Sequence, residues 1–141
     1  MWKMIIPLLI IVGSNSFYHV ITKSVPENVN TFGALTVTYL VGAVLSAILF
    51  LISVKPVNAL TELHKINWTS FALGCVIVGL EAGFVLMYRS GWKISSASLT
   101  ANICLAVVLL AVGALLYKEA VTPRQVAGVI VCAAGLFLIN G

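Results

Sequence analysis

Glu81 stands inside an otherwise uncharged stretch, Ile66 to Tyr88, and has the strongest claim to chemistry of any residue in the chain. A carboxylate sunk in hydrocarbon costs at least about 2.5 kcal/mol on insertion scales. Such a group takes up or releases a proton, or meets a cation. The plainer reading is a neutral Glu81 hydrogen-bonded between helices, or one paired with a Lys or Arg. Asn15, Tyr39 and Asn102 fall in three other uncharged stretches. All four lie within about 6 Å of the middle of their stretches, on the same side. Each alone serves as glue between helices; together they suggest a shared cavity. Asn15, Tyr18 or His19, and Thr22 recur at helical spacing and form one polar stripe. His19 is either a second proton carrier or a hydrogen-bonded histidine near an interface. Glu81, Val85, Tyr88 and Arg89 share a helical face, so a cavity at Glu81 would widen toward Tyr88. Arg89 and Trp92 have a simpler role as interfacial anchors.

The elements that carry these residues are marked by charge. Uncharged runs cover 4–22, 28–54, 94–117 and 125–141, and 66–88 is interrupted only by Glu81. A spanning helix needs about 20 apolar residues. The chain is therefore expected to be an all-α membrane protein, a single domain over 1–141. Its five transmembrane helices fall at about 4–22, 32–53, 67–89, 95–117 and 124–140. Composition agrees: 61% of the 141 residues are hydrophobic and 9% are charged, against roughly 45–50% and about 25% in soluble domains. Mean hydropathy is +1.12. These values exclude a disordered chain, a nucleic-acid binder and a conventional soluble enzyme. The first run reads as a span and not a cleaved signal, because no A-x-A-like site follows it and the run continues to Lys23.

Loop signals fit the span ends. Pro26-Glu27-Asn28 and Lys55-Pro56 break the chain, Ser95 is placed to cap the fourth span, and Thr122-Pro123 with Gln125 forms a capping box. Cys75, Cys104 and Cys132 lie in separate spans without a CxxC pair and read as small packing residues. No phosphate loop, dinucleotide fingerprint or Ser/His/Asp set is present, and neither cofactor nor metal is expected. The Asn67-Trp68-Thr69 sequon carries no weight without a secretory context. Small residues along the fifth span (Ala127, Gly128, Cys132, Ala134, Gly135) make it a packing or dimerisation helix outside the cavity. The N-terminal side carries Lys3, Lys55, Lys65, Lys118 and Arg124; the other carries Lys23, Arg89 and Lys93. So small a bias fits either an ordinary N-in protein or insertion both ways round.

Gly13-Ser14-Asn15-Ser16-Phe17, the run Tyr88 to Ser98, Lys118-Glu119, Thr122-Pro123, Gly128 and Ala134-Gly135 together resemble one EamA-like repeat of the drug/metabolite transporter superfamily. The resemblance covers nearly the whole chain. It implies a five-span repeat, which most members carry twice in inverted orientation, while small four-span relatives work as antiparallel dimers. Two features depart from the pattern: the usual proline of span 4 is missing, and Lys118 stands where glycine is usual. The small relatives carry their essential glutamate in span 1, whereas here the intramembrane acid is Glu81 in span 3. Glu119 matches a family position and reads as structural.

The resulting expectation is a secondary transporter of a small organic solute or drug-like cation, working by alternating access. Protons couple through Glu81. Asn15, Tyr18, His19, Tyr39, Tyr88 and Asn102 complete the substrate and proton site. The partners are the solute, protons, the bilayer and a second copy, preferably inverted, in the inner membrane of a bacterium or archaeon. The alternatives are a lipid-carrier flippase and an accessory membrane subunit whose Glu81 pairs with a partner's basic residue.

Overall fold

The computed structural model describes residues 2–54 and 58–140. The chain is all-α: α1 (Trp2–Lys23), α2 (Thr31–Ser53), α3 (Ala59–Leu63), α4 (Trp68–Arg89), α5 (Ile94–Leu116) and α6 (Pro123–Asn140). In α1, α2, α4 and α5, segments of 19 to 23 residues are long and apolar enough to cross a membrane. The apolar part of α6, Pro123–Leu138, is shorter. The expected helices at 4–22, 32–53, 67–89, 95–117 and 124–140 thus each correspond to an observed helix. Four have spanning length, and α3 is an addition. The Lys55-Pro56 break lies outside the described residues.

These helices are apolar almost all the way round. Leu8, Leu9, Ile52, Phe71, Leu115 and Phe137 are among the many large hydrophobic residues left exposed by the single chain. Such a surface suits lipid or a partner, not water. Hydroxyl groups on it turn back on their own helices. Ser16 donates to the Val12 carbonyl (2.7 Å), Thr36 to Phe32 (2.8 Å) and Ser53 to Leu49 (2.7 Å). A polar group that satisfies itself within its helix loses little in hydrocarbon.

The chain forms two compact units. The first, Met1–Val20 with Ser90–Gly141, holds most of α1 together with α5 and α6, and α5 packs on α6. Ala97 is fully buried, and His19, Ser96 and Gly113 are buried with it. The second unit, Ile21–Arg89, is built on α2 packed against α4. Thr31 and Leu35 of α2, with Ala82, Val85 and Tyr88 of α4, form its core.

Caps fix the helix ends. Asn30 accepts from the Gly33 amide (3.1 Å) and starts α2. Asn67, the first residue of the sequon, accepts from the Thr69 amide (3.1 Å) and from the Thr69 hydroxyl at the head of α4. The capping box holds α6: the Gln125 Oε1 accepts from the Thr122 amide (2.8 Å), and the Gln125 amide donates to Thr122 Oγ1 (3.3 Å). Ser95 does not cap α5. The helix begins one residue earlier, and its N-cap position is Lys93, whose side chain makes no capping bond. The tight α4–α5 turn runs through Gly91 at φ +89°, a conformation open to glycine. Cys75, Cys104 and Cys132 are free, and exposed in the single chain.

Candidate functional site

The four residues expected to share one depth each sit two to three positions from the midpoint of their helix. Glu81 follows the middle of α4, Asn15 follows that of α1, and Tyr39 and Asn102 precede those of α2 and α5. At 1.5 Å per residue the offsets are about 3–5 Å.

In the second unit, Thr31, Leu35 and Tyr39 follow a four-residue spacing along α2, the first two buried and Tyr39 half-buried. Across from them, α4 presents Glu81, Ala82, Val85, Tyr88 and Arg89. Glu81 and Arg89 are half-buried, and the three between are buried. The buried Tyr39 hydroxyl and the Glu81 carboxylate interact electrostatically without a well-formed hydrogen bond between them. The acid therefore lies on the packed stripe of α4 and addresses a phenol on α2. Toward the end of α4, Tyr88 stacks on Phe84 (centroids 6.3 Å apart), and the Lys23 ammonium sits 5.7 Å from the Tyr88 ring centre.

Arg89 does more than anchor a helix end. Its guanidinium donates to Thr31 Oγ1 (2.7 Å), to the Pro26 carbonyl (3.0 Å) and to the Val29 carbonyl (2.6 Å). The rigid fork of donors makes one arginine a latch over the turn between α1 and α2. A hollow of about 410 Å³ lies beside it, bordered by Glu27, Asn30, Phe32 and Leu86. Nothing periodic in the sequence announces this latch, since its partners lie about sixty residues away.

In the first unit, Asn15 and Asn102 are exposed in the single chain, Tyr18 is half-buried and His19 is buried. The polar stripe of α1 is thus rotated so that His19, not Asn15, faces inward. Tyr18 and His19 meet edge to face at 5.1 Å. The His19 Nε2 lies 3.1 Å from Ser98 Oγ on α5, and Asn102 Nδ2 donates to the Ser98 carbonyl (2.8 Å). Ser98 had no expected role, yet it joins two residues that did. Asn102 also borders a hollow of about 480 Å³ lined by Ala106, Leu110, Gly128 and Cys132. Gln125, Gly128, Val129 and Cys132 of α6 form one side of this hollow.

At the far end of α5 the chain turns through Lys118, which adopts φ +52°. The Glu119 amide returns to the Gly113 carbonyl (3.0 Å), and the Glu119 carboxylate folds over Gly113. Lys118, which stands where glycine is usual, thus occupies the left-handed conformation that glycine adopts without strain.

Four apolar helices of spanning length, with a carboxylate and an imidazole on their packed faces, define a polytopic helical membrane protein. The chain belongs to the EamA-like transporter family, whose pattern matches residues 2–141. As a family these are transporters and not enzymes. Neither the curated proteins nor the solved structures contain a match to it.

Proposed function

We propose that the chain is a small secondary transporter of the drug/metabolite type that moves a small organic solute or drug-like cation by alternating access, coupled to protons through Glu81. The observation that carries this reading is the place of Glu81. It is an acid near the middle of a spanning helix, on its packed stripe, addressing Tyr39 of α2. An ionised carboxylate in hydrocarbon is costly, and binding a proton removes that cost. A cationic solute favours the ionised form. Proton and solute then compete for one group, and that competition suffices for exchange of one against the other. Tyr39 and Tyr88 supply aromatic surface for a cation; Asn15, Tyr18, His19 and Asn102 supply polar contacts along the path.

In this reading α6 is the fifth span, tilted little because its apolar part is short. Duplicating a five-span unit would invert the second copy; an oppositely inserted second chain reaches the same arrangement. The working unit is accordingly an antiparallel homodimer in the inner membrane of a bacterium or archaeon, a form that the small bias of Lys and Arg between the two sides permits.

Transport by proteoliposomes across a panel of organic cations, amino acids and metabolites tests the reading. Glu81→Gln keeps the size of the side chain and removes its titration. It is expected to abolish proton-coupled transport and flatten the pH dependence of binding while the protein stays folded. Glu81→Asp is expected to retain transport with a shifted pH optimum. Normal transport by Glu81→Gln at every pH would remove the coupling role.

A further inference from the structure

We infer that His19, Ser98 and Asn102 form a second proton-binding site, distinct from Glu81, in which Ser98 is the positioning residue that lets His19 gain and lose a proton without losing its partner. The inference does not depend on the transport reading, because it stands on the first unit alone.

The heavy atoms orient the Asn102 amide and leave the Ser98 hydroxyl able to serve His19. Asn102 Nδ2 lies 2.8 Å from the Ser98 carbonyl and 3.4 Å from Ser98 Oγ. A carbonyl can only accept, so the amide must present its NH₂ to Ser98 and its oxygen elsewhere. The second N–H of that amide is then directed to Ser98 Oγ, which accepts it. A hydroxyl has one proton and two lone pairs. With one lone pair occupied by Asn102, the Ser98 proton remains free to point at His19 Nε2, 3.1 Å away. In the tautomer that uses this donor, neutral His19 accepts at Nε2 and carries its proton on Nδ1.

When a proton from water arrives at Nε2, the ring becomes a donor there. The Ser98 hydroxyl rotates and accepts from Nε2–H with its second lone pair. Its own proton turns to a carbonyl one helical turn back, the usual acceptor for a helical serine. No bond between heavy atoms breaks, and the imidazole keeps a partner in both states. Burial of His19 at 5% exposure makes that matter, because an imidazolium deprived of a partner there would bear its full desolvation cost. Among the described side chains, the remaining titratable or charged groups along these helices are Tyr18 against the ring, Lys23 one turn further on and engaged with Tyr88, Lys93 and Cys104 on either side of the Ser98–Asn102 turn, and Arg124 and Cys132 on α6, which packs on α5. No acid lies on α1 or α5, and Ser98 is a hydroxyl within reach of the ring nitrogen in either protonation state.

The test uses the full chain in lipid nanodiscs with ¹⁵N-labelled imidazoles. The chain has two histidines, and His64→Gln leaves His19 alone. His19 is expected to titrate as one site within the pH range over which the protein stays folded. Hydrogen bonds to a charged donor are worth more than neutral ones by about a factor of two. Ser98→Ala should therefore weaken proton binding at His19 about fivefold, by removing more from the charged form than from the neutral one. Ser98→Thr, which keeps the hydroxyl, should restore it to within about twofold. Glu81→Gln should leave the titration unchanged, which separates this site from the transport reading. Should Ser98→Ala fail to fold, Ser98→Cys replaces it, with the same loss expected from a thiol's weak hydrogen bond. A His19 that stays neutral across this range would overturn the inference. So would one whose titration ignores the loss of the Ser98 hydroxyl.

Discussion

Arg89 holds the α1–α2 turn by three hydrogen bonds, two of them to backbone carbonyls. Hydrogen bonds from a charged donor are worth about 1.5–3 kcal/mol each, although bonds that share one guanidinium are not additive. Arg89→Ala should therefore destabilise the protein by about 2–4 kcal/mol, measured as loss of the unfolding midpoint in detergent. Arg89→Lys should recover less than half of this, since an ammonium cannot fork toward Thr31, Pro26 and Val29 together. Were Arg89→Ala as stable as the parent, the residue would be an interfacial anchor only. At this scale the sequence was legible where chemistry is local. Glu81 stood out because a charge interrupts an apolar run. The pairing of His19 with Ser98 did not, because two residues 79 positions apart share no periodic signal. Asn15 and His19 show the same limit. Helical spacing put both on one stripe, but only packing decides which edge of a stripe turns inward.

The helices themselves were readable to within a residue or two at almost every end, because in a chain this apolar each charged residue marks where water begins. The exceptions have physical causes. Five residues of α3 lie in a polar loop and span too few turns for periodicity to register. Ser95 looked like a cap by type, but the extended backbone that a cap needs occurs at Lys93, directly after the Gly91 turn. The end of α5 gives a prediction of sign. Lys118 holds a left-handed conformation that costs a side-chain-bearing residue about 1–2 kcal/mol, partly offset by the greater freedom that glycine has when unfolded. Lys118→Gly should thus stabilise the protein by about 0.5–1 kcal/mol. Gly113→Ala places a Cβ 2.8 Å from Glu119 Oε2, the tip of a flexible side chain that can swing aside. The gain in helix propensity, about 1 kcal/mol, then leaves this change near neutral. Thermal unfolding of both variants decides: a less stable Lys118→Gly would mean that the Lys118 side chain has a contact worth more than the strain.

For the whole molecule, the informative feature is how little each unit buries. Only a handful of side chains are buried in the described residues, while large hydrophobics cover every helix. A single chain of this kind has much surface to share with lipid or a second copy. The antiparallel homodimer makes a direct prediction. Cysteines introduced at Asn58 and Ser90, in a background lacking Cys75, Cys104 and Cys132, should each react with an impermeant thiol reagent from both faces of the membrane, in about equal amounts. Labelling of each position from one face alone would rule the antiparallel form out and leave a parallel or hetero-paired assembly.

The Arg89 latch also orders events in time. Pro26 and Arg89 are 63 residues apart in the chain. At about 5–20 residues per second, the ribosome needs roughly 3–13 s to travel between them. For that interval the turn after α1 has no guanidinium to close it, and the first two helices wait in the bilayer as an unfastened hairpin. Whatever orientation the first helix adopts on entry can still be revised in those seconds. Release of the α4 terminus from the ribosome is the moment at which the hairpin becomes committed.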